Sequence, residues 1–142
     1  DYENLLIWLS NNSSNIRAYI GYRGDLANKI YAGSDFYLMP SKFEPCGLSQ
    51  LIAMRYGSLP VVRATGGLED TVTGYPLDNS NGFKFWGYAG YDMMQAINCA
   101  VDVYNDKYTF NAMRKSAMVA DFSWKKSTIE YLKLYKELAL KN

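Results

Sequence analysis

The stretch Ser41-Lys42-Phe43-Glu44-Pro45-Cys46-Gly47-Leu48-Ser49 holds the residues best suited to chemistry. It follows an apolar run, Phe36-Tyr37-Leu38-Met39, and leads into a helix-like stripe of Leu48, Leu51 and Ile52. The first N–H groups of a helix have no partner within it, and its dipole is positive at that end. A phosphate placed there gains a few tenths to about 2 kcal/mol. Gly47 has no Cβ and lets a ligand approach the backbone closely, while Cys46, Leu48 and Ser49 flank it. Glu44 supplies a carboxylate that can accept hydrogen bonds from sugar hydroxyls. The bland alternative is that Glu44 caps the helix and Gly47 relieves a tight turn. Thr65-Gly66-Gly67-Leu68 repeats the order of strand, glycine and helix start, with a plain turn as its alternative. Tyr22 follows a β-prone run and can lie flat against a base, or simply pack at a strand end, as one of 13 tyrosines.

Other chemistries are excluded by what the chain lacks. With no histidine it carries neither a self-contained Ser-His-Asp or Cys-His catalyst nor a His-ligated metal. Cys46 and Cys99 are the only cysteines, too few for a disulfide scaffold or a cysteine zinc site, and are read as reduced thiols in a cytoplasmic protein. Fifteen Lys and Arg against 14 Asp and Glu, without blocks of one sign, argue against nucleic-acid and membrane-surface partners. No apolar run approaches the roughly 20 residues that span a bilayer.

The elements that position these loops follow from periodicity. A composition of 49% hydrophobic and 20% charged residues over 142 positions fits one folded domain. Runs 16–20, 36–39, 59–63 and 83–86 read as strands. Between them lie helical stretches: Leu26, Ile30 and Tyr31 after an expected N-cap at Asp25, then 48–57 and 67–70. From residue 91 to 142 the pattern turns helical, ending in an apolar stripe of Tyr131, Leu132, Tyr135 and Leu138. The expectation is a single α/β domain, residues 1–142, with a Rossmann-like parallel sheet flanked by helices and a helical C-terminal tail. Ligand loops then gather at the carboxyl edge of the strands. Residues 2–9 are helix-like with no strand before them, so the chain is expected to start in the middle of a fold.

The sequence resembles bacterial glycogen synthases and plant starch synthases from about Ile20 to about Tyr135. The resemblance rests on Pro40-Ser41-Lys42-Phe43-Glu44-Pro45-Cys46-Gly47-Leu48-Ser49-Gln50, and on Thr65-Gly66-Gly67-Leu68-Glu69-Asp70-Thr71-Val72 after Leu59-Pro60-Val61-Val62-Arg63. Gly82-Phe83-Lys84-Phe85 and Phe122-Ser123-Trp124 also match. It implies the later part of the C-terminal domain of a two-domain GT-B glycosyltransferase. That enzyme class moves glucose from ADP-glucose to the non-reducing end of an α-1,4-glucan, with retention and without metal or cofactor. By the same resemblance Tyr22 stacks on adenine, Glu44 holds the glucose hydroxyls at the catalytic centre, and Cys46, Gly47, Leu48 and Ser49 hold the distal phosphate. Thr65, Gly66 and Gly67 correspond to a second glycine loop of the family and are expected to take part in substrate binding.

The chain departs from the wider pattern at Ile52, where many retaining enzymes of this architecture carry a second glutamate. The cations that neutralise the diphosphate, and the acceptor site, are expected in a preceding domain. The 142 residues alone are therefore expected to be inactive. The alternatives are a sucrose- or trehalose-phosphate-synthase-like transferase and a non-catalytic nucleotide- or glycan-binding module.

Overall fold

The computed structural model describes residues 1–140. In chain order the elements are α1 (Tyr2–Asn12), α2 (Gly24–Gly33), β1 (Phe36–Met39), α3 (Ser49–Tyr56), β2 (Leu59–Arg63), α4 (Gly67–Thr71) and β3 (Phe83–Phe85). Three longer helices follow: α5 (Gly90–Asn105), α6 (Lys107–Val119) and α7 (Trp124–Ala139). The strands form one parallel sheet in the order β1-β2-β3, with Phe36 beside Leu59 and Val61 beside Phe83.

The middle strand β2 is buried on both faces, as its run of Leu59, Val61 and Val62 requires. On one face Val61, Phe83 and Phe85 pack with Met54 of α3, Ala100 and Val103 of α5, and Phe110 and Met113 of α6. On the other, Val62 packs with Leu68 of α4, Val72 and Met39. Pro60 is tolerated in this central strand because of its place in the ladder. The Leu59 N–H turns toward β1 and donates to the Asp35 carbonyl, so the N–H that Pro60 lacks belongs on the β3 side. There pairing begins only one residue later, at Val61. Gly57 ends α3 in the left-handed region at φ 81°, a conformation that favours glycine.

Two expectations need correction. The run 16–20 is not a strand. Its backbone is tied locally to the end of α1: the Ala18 N–H donates to Ser10 Oγ, and the Arg17 guanidinium to the carbonyls of Ser13 and Ile16. β-propensity without a neighbouring strand to pair with leaves an extended segment. Asp25 is not the N-cap of α2 either. Arg23 holds that position, and Asp25 pairs with its guanidinium in the first turn, which lowers the Asp25 carboxyl below its ordinary value. The helical pattern expected from residue 91 is present as α5, α6 and α7, of which α5 and α6 join the core while α7 buries no residue. The cap of α6, Asp106, accepts from the N–H groups of Tyr108 and Thr109 and from the Thr109 hydroxyl. The Thr109 bonds, first of all, hold its carboxyl below the ordinary value.

Candidate functional site

β1 and β2 run parallel, so the loops that leave them emerge at the same edge of the sheet. The first loop, residues 40–48, turns through Gly47 at φ +71° into α3. A Cβ at Gly47 would come within 2.5 Å of the Gln50 side chain, so both conformation and space demand glycine there. The first bond into α3 runs from the Ile52 N–H to the Leu48 carbonyl at 3.0 Å. The N–H groups of Gly47, Leu48 and Ser49 have no acceptor among the described residues, and α3 has no side-chain cap. Gly47 is buried, Ser49 half-buried and Leu48 exposed, and these donors stand without a partner among the described residues at the positive end of a helix.

Glu44 is half-buried and does not cap this helix. The one donor to its carboxylate among the described residues is the Ser41 hydroxyl, at a long 3.5 Å. Its oxygens are thus left for other donors beside the row of N–H groups. The backbone of the same residues is engaged elsewhere. The Gly67 N–H donates to the carbonyls of Glu44 and Pro45, each at 3.2 Å. A Cβ at Gly66 would collide with the Glu44 carbonyl oxygen, and one at Gly67 with that of Cys46. The glycine pair therefore lets the second loop lie main chain against main chain on the first, a use that the motif alone did not reveal. Thr65 stands just ahead of this contact, its carbonyl accepting from the Leu68 N–H at 3.1 Å.

The structure brings together Glu44, Cys46, Gly47, Leu48, Ser49, Thr65, Gly66 and Gly67 and leaves Tyr22 apart. The Tyr22 side chain is 95% exposed and lines a separate hollow with Leu6, Arg17, Leu26 and Ile30, along α1 and α2. Ile52 opens instead onto a mostly apolar hollow of about 590 Å³ that includes Leu51, Arg55, Ala117 and Phe122.

Three residues that sequence reasoning passed over brace the site. Arg63, the last residue of β2, donates to the Lys42 carbonyl at 2.8 Å and the Trp86 carbonyl at 3.1 Å, with its guanidinium 5.6 Å from the Tyr88 ring centre. It ties the first loop to the link between β3 and α5. Tyr37 of β1 meets Tyr31 edge-on at 5.3 Å. Burial raises its phenol above the ordinary value, a hydrogen bond with Ser49 opposes this, and Tyr31 and Glu44 add to it. Gln50 is fully buried behind the row of donors. An arginine at a strand end, a tyrosine in an apolar run and a glutamine in a helix carry no distinctive spacing, so no signal singled them out.

No family model matches the chain. The chain is 45% identical over 141 residues to the glycogen synthase of Bacillus cereus (strain Q1), and 47% identical over 141 residues to that of Clostridium botulinum (strain Alaska E43 / Type E3). Each match covers 97% of this chain and 30% of the relative, so the chain spans under a third of the length of these curated relatives. Among solved structures, the catalytic domain of starch synthase IV from Arabidopsis thaliana, bound to ADP and acarbose, superposes with a TM-score of 0.85 at 36% identity. That match covers 96% of this chain and 29% of the other. A sucrose-phosphate synthase from Thermosynechococcus elongatus superposes with a TM-score of 0.62 at 20% identity, over 98% of this chain and 35% of that one, and shows the fold alone. With its three parallel strands, flanking helices and interlocked loops, the chain is a relative of the glycogen and starch synthases, with the fold of a GT-B glycosyltransferase domain and about 30% of their length.

Proposed function

We propose that this chain forms the donor-holding part of a retaining glucosyltransferase that moves glucose from ADP-glucose to the non-reducing end of an α-1,4-glucan. One observation carries the reading: the free N–H groups of Gly47, Leu48 and Ser49 stand beside an uncapped, half-buried Glu44, in a chain close to glycogen synthases. Breaking the bond between glucose and the diphosphate leaves negative charge on the departing phosphate. Fixed N–H donors at a helix start stabilise that charge without having to reorganise. The Glu44 carboxylate accepts from the glucose hydroxyls and orients the sugar at the bond that breaks. Cys46, exposed next to Gly47, borders the same place. Thr65, Gly66 and Gly67 support the first loop from below, and the Gly67 N–H is already occupied by that loop.

The adenine preference is supported by the ADP bound to the starch synthase relative; Tyr22, in its separate hollow, is not needed for this reading. In this reading the glucan acceptor and the cations facing the diphosphate come from outside these 142 residues, and closure over the donor excludes water. The two free thiols, Cys46 and Cys99, support a cytoplasmic setting. Calorimetric titration of the full-length gene product with ADP-glucose and with UDP-glucose tests the donor. The reading expects saturable binding of the first at least tenfold tighter than the second. Equal affinity, or no binding of either, contradicts it.

A further inference from the structure

The two glycine loops are joined by more than their main-chain contact. Gln50, in the first turn of α3, is 0% exposed, and its amide nitrogen sits among three oxygens. It reaches the Gly47 carbonyl at 3.0 Å, the Cys46 carbonyl at 3.3 Å and Thr71 Oγ1 at 3.1 Å. The two carbonyls can only accept, which fixes the orientation of the carboxamide with its nitrogen toward them. The Thr71 hydroxyl in turn donates to the Gly67 carbonyl at 2.5 Å. One side chain thus links the turn before α3 to the helix that follows the second glycine loop. The Oε1 of Gln50 has no partner among the described residues, and a Cβ at Gly47 would press on it. A buried polar group with so little latitude costs stability unless its bonds serve a fixed geometry.

We propose that Gln50 is a positioning residue for the donor site. It holds the Cys46–Gly47 turn against Thr71 and Gly67, so that the N–H row of residues 47–49 and the Glu44 carboxylate keep one separation. Gln50 acts through the loop rather than by touching the donor, and its effect on turnover rests on the donor-binding reading above. The lock itself does not.

The test uses Gln50→Met, Thr71→Val and the double variant in the full-length gene product, with two readouts taken well below the melting temperature. The first is amide hydrogen exchange without ligand. Gln50→Met is expected to speed exchange of the Gly67 N–H, which bridges the loops, by tenfold or more. Unchanged exchange there overturns the lock. The second is kcat/KM for ADP-glucose, expected to fall at least tenfold in Gln50→Met and less in Thr71→Val. The double variant should be no worse than Gln50→Met, because both remove one linkage. Losses that multiply in the double variant, or faster exchange with unchanged kcat/KM, overturn the positioning role. Should Gln50→Met fail to fold, Thr71→Val, which spares the two carbonyl bonds of Gln50, is read in the same two ways. If the parent protein does not turn over ADP-glucose, the donor reading fails by itself, and the exchange measurement still decides the lock.

Discussion

The middle of the molecule and its two ends treat their apolar residues in opposite ways. In the middle, the strands and the helices α3 to α6 turn apolar faces to one another. Met54, Val61, Phe83, Ala100 and Phe110 close one core, and Val62, Leu68 and Val72 a second. At the ends, α1 and α7 bury no residue, and Tyr131, Leu132, Tyr135 and Leu138 of α7 are each at least half exposed. The apolar stripe of α7 is as pronounced as those of α5 and α6, while that of α1 is weaker. An amphipathic stripe therefore specifies a helix, whereas its burial depends on a surface elsewhere to receive it.

That contrast can be broken by mutation of the 142-residue chain, read by chemical denaturation. The largest effect is expected at Phe83, which is 2% exposed in the larger core with Phe36 and Tyr75 against its ring: Phe83→Ala should cost about 3–5 kcal/mol. A loss below about 1 kcal/mol would mean that the core is not packed as described. At Gly67, alanine has no room against the Cys46 carbonyl. Gly67→Ala should push the loops apart, lowering the melting temperature and the donor affinity of the full-length gene product together. Retention of both would refute the close approach. Asp106→Ala removes the cap of α6 and should lower the melting temperature by a few degrees. Because the folded state lowers the carboxyls of Asp106 and Asp121, their contribution is present above the ordinary carboxylate value and is lost as pH falls from there through the lowered folded value. In Asp106→Ala the stability lost between pH 6 and pH 3 (both chosen for the assay) should be smaller than in the parent; an identical loss would contradict the assignment. The smallest effect is expected on α7, where Leu132→Ser should stay within about 0.5 kcal/mol in this chain. A larger loss would show that the end helix is packed after all.

The legible parts of the molecule were those where local pattern and tertiary partner coincide. β1, β2 and β3 appear as short apolar runs bounded by glycine or proline, and each finds a neighbour in the sheet. The run 16–20 is also β-prone but has no neighbour, and its Ala18 N–H donates to the Ser10 hydroxyl of α1 instead. In the site, the glycine loops were visible because glycine marks unusual backbone. Their mutual contact was not, since a Gly-Gly pair reads alike whether its space is taken by a ligand or by a carbonyl from another loop. Gln50 and Arg63 were hidden for a related reason. Their work lies in bonds to backbone carbonyls 3 to 23 residues away, and sequence spacing records no such bond.

The central claim is that Glu44 serves the donor sugar and not the fold, and Glu44→Ala in the full-length gene product tests it most directly. Turnover from ADP-glucose and the melting temperature are measured on the same preparation. The uncapped geometry of Glu44 predicts that turnover falls by orders of magnitude while the melting temperature stays within a few degrees of the parent. A variant that is clearly less stable yet nearly as active would make Glu44 a structural residue and contradict the account.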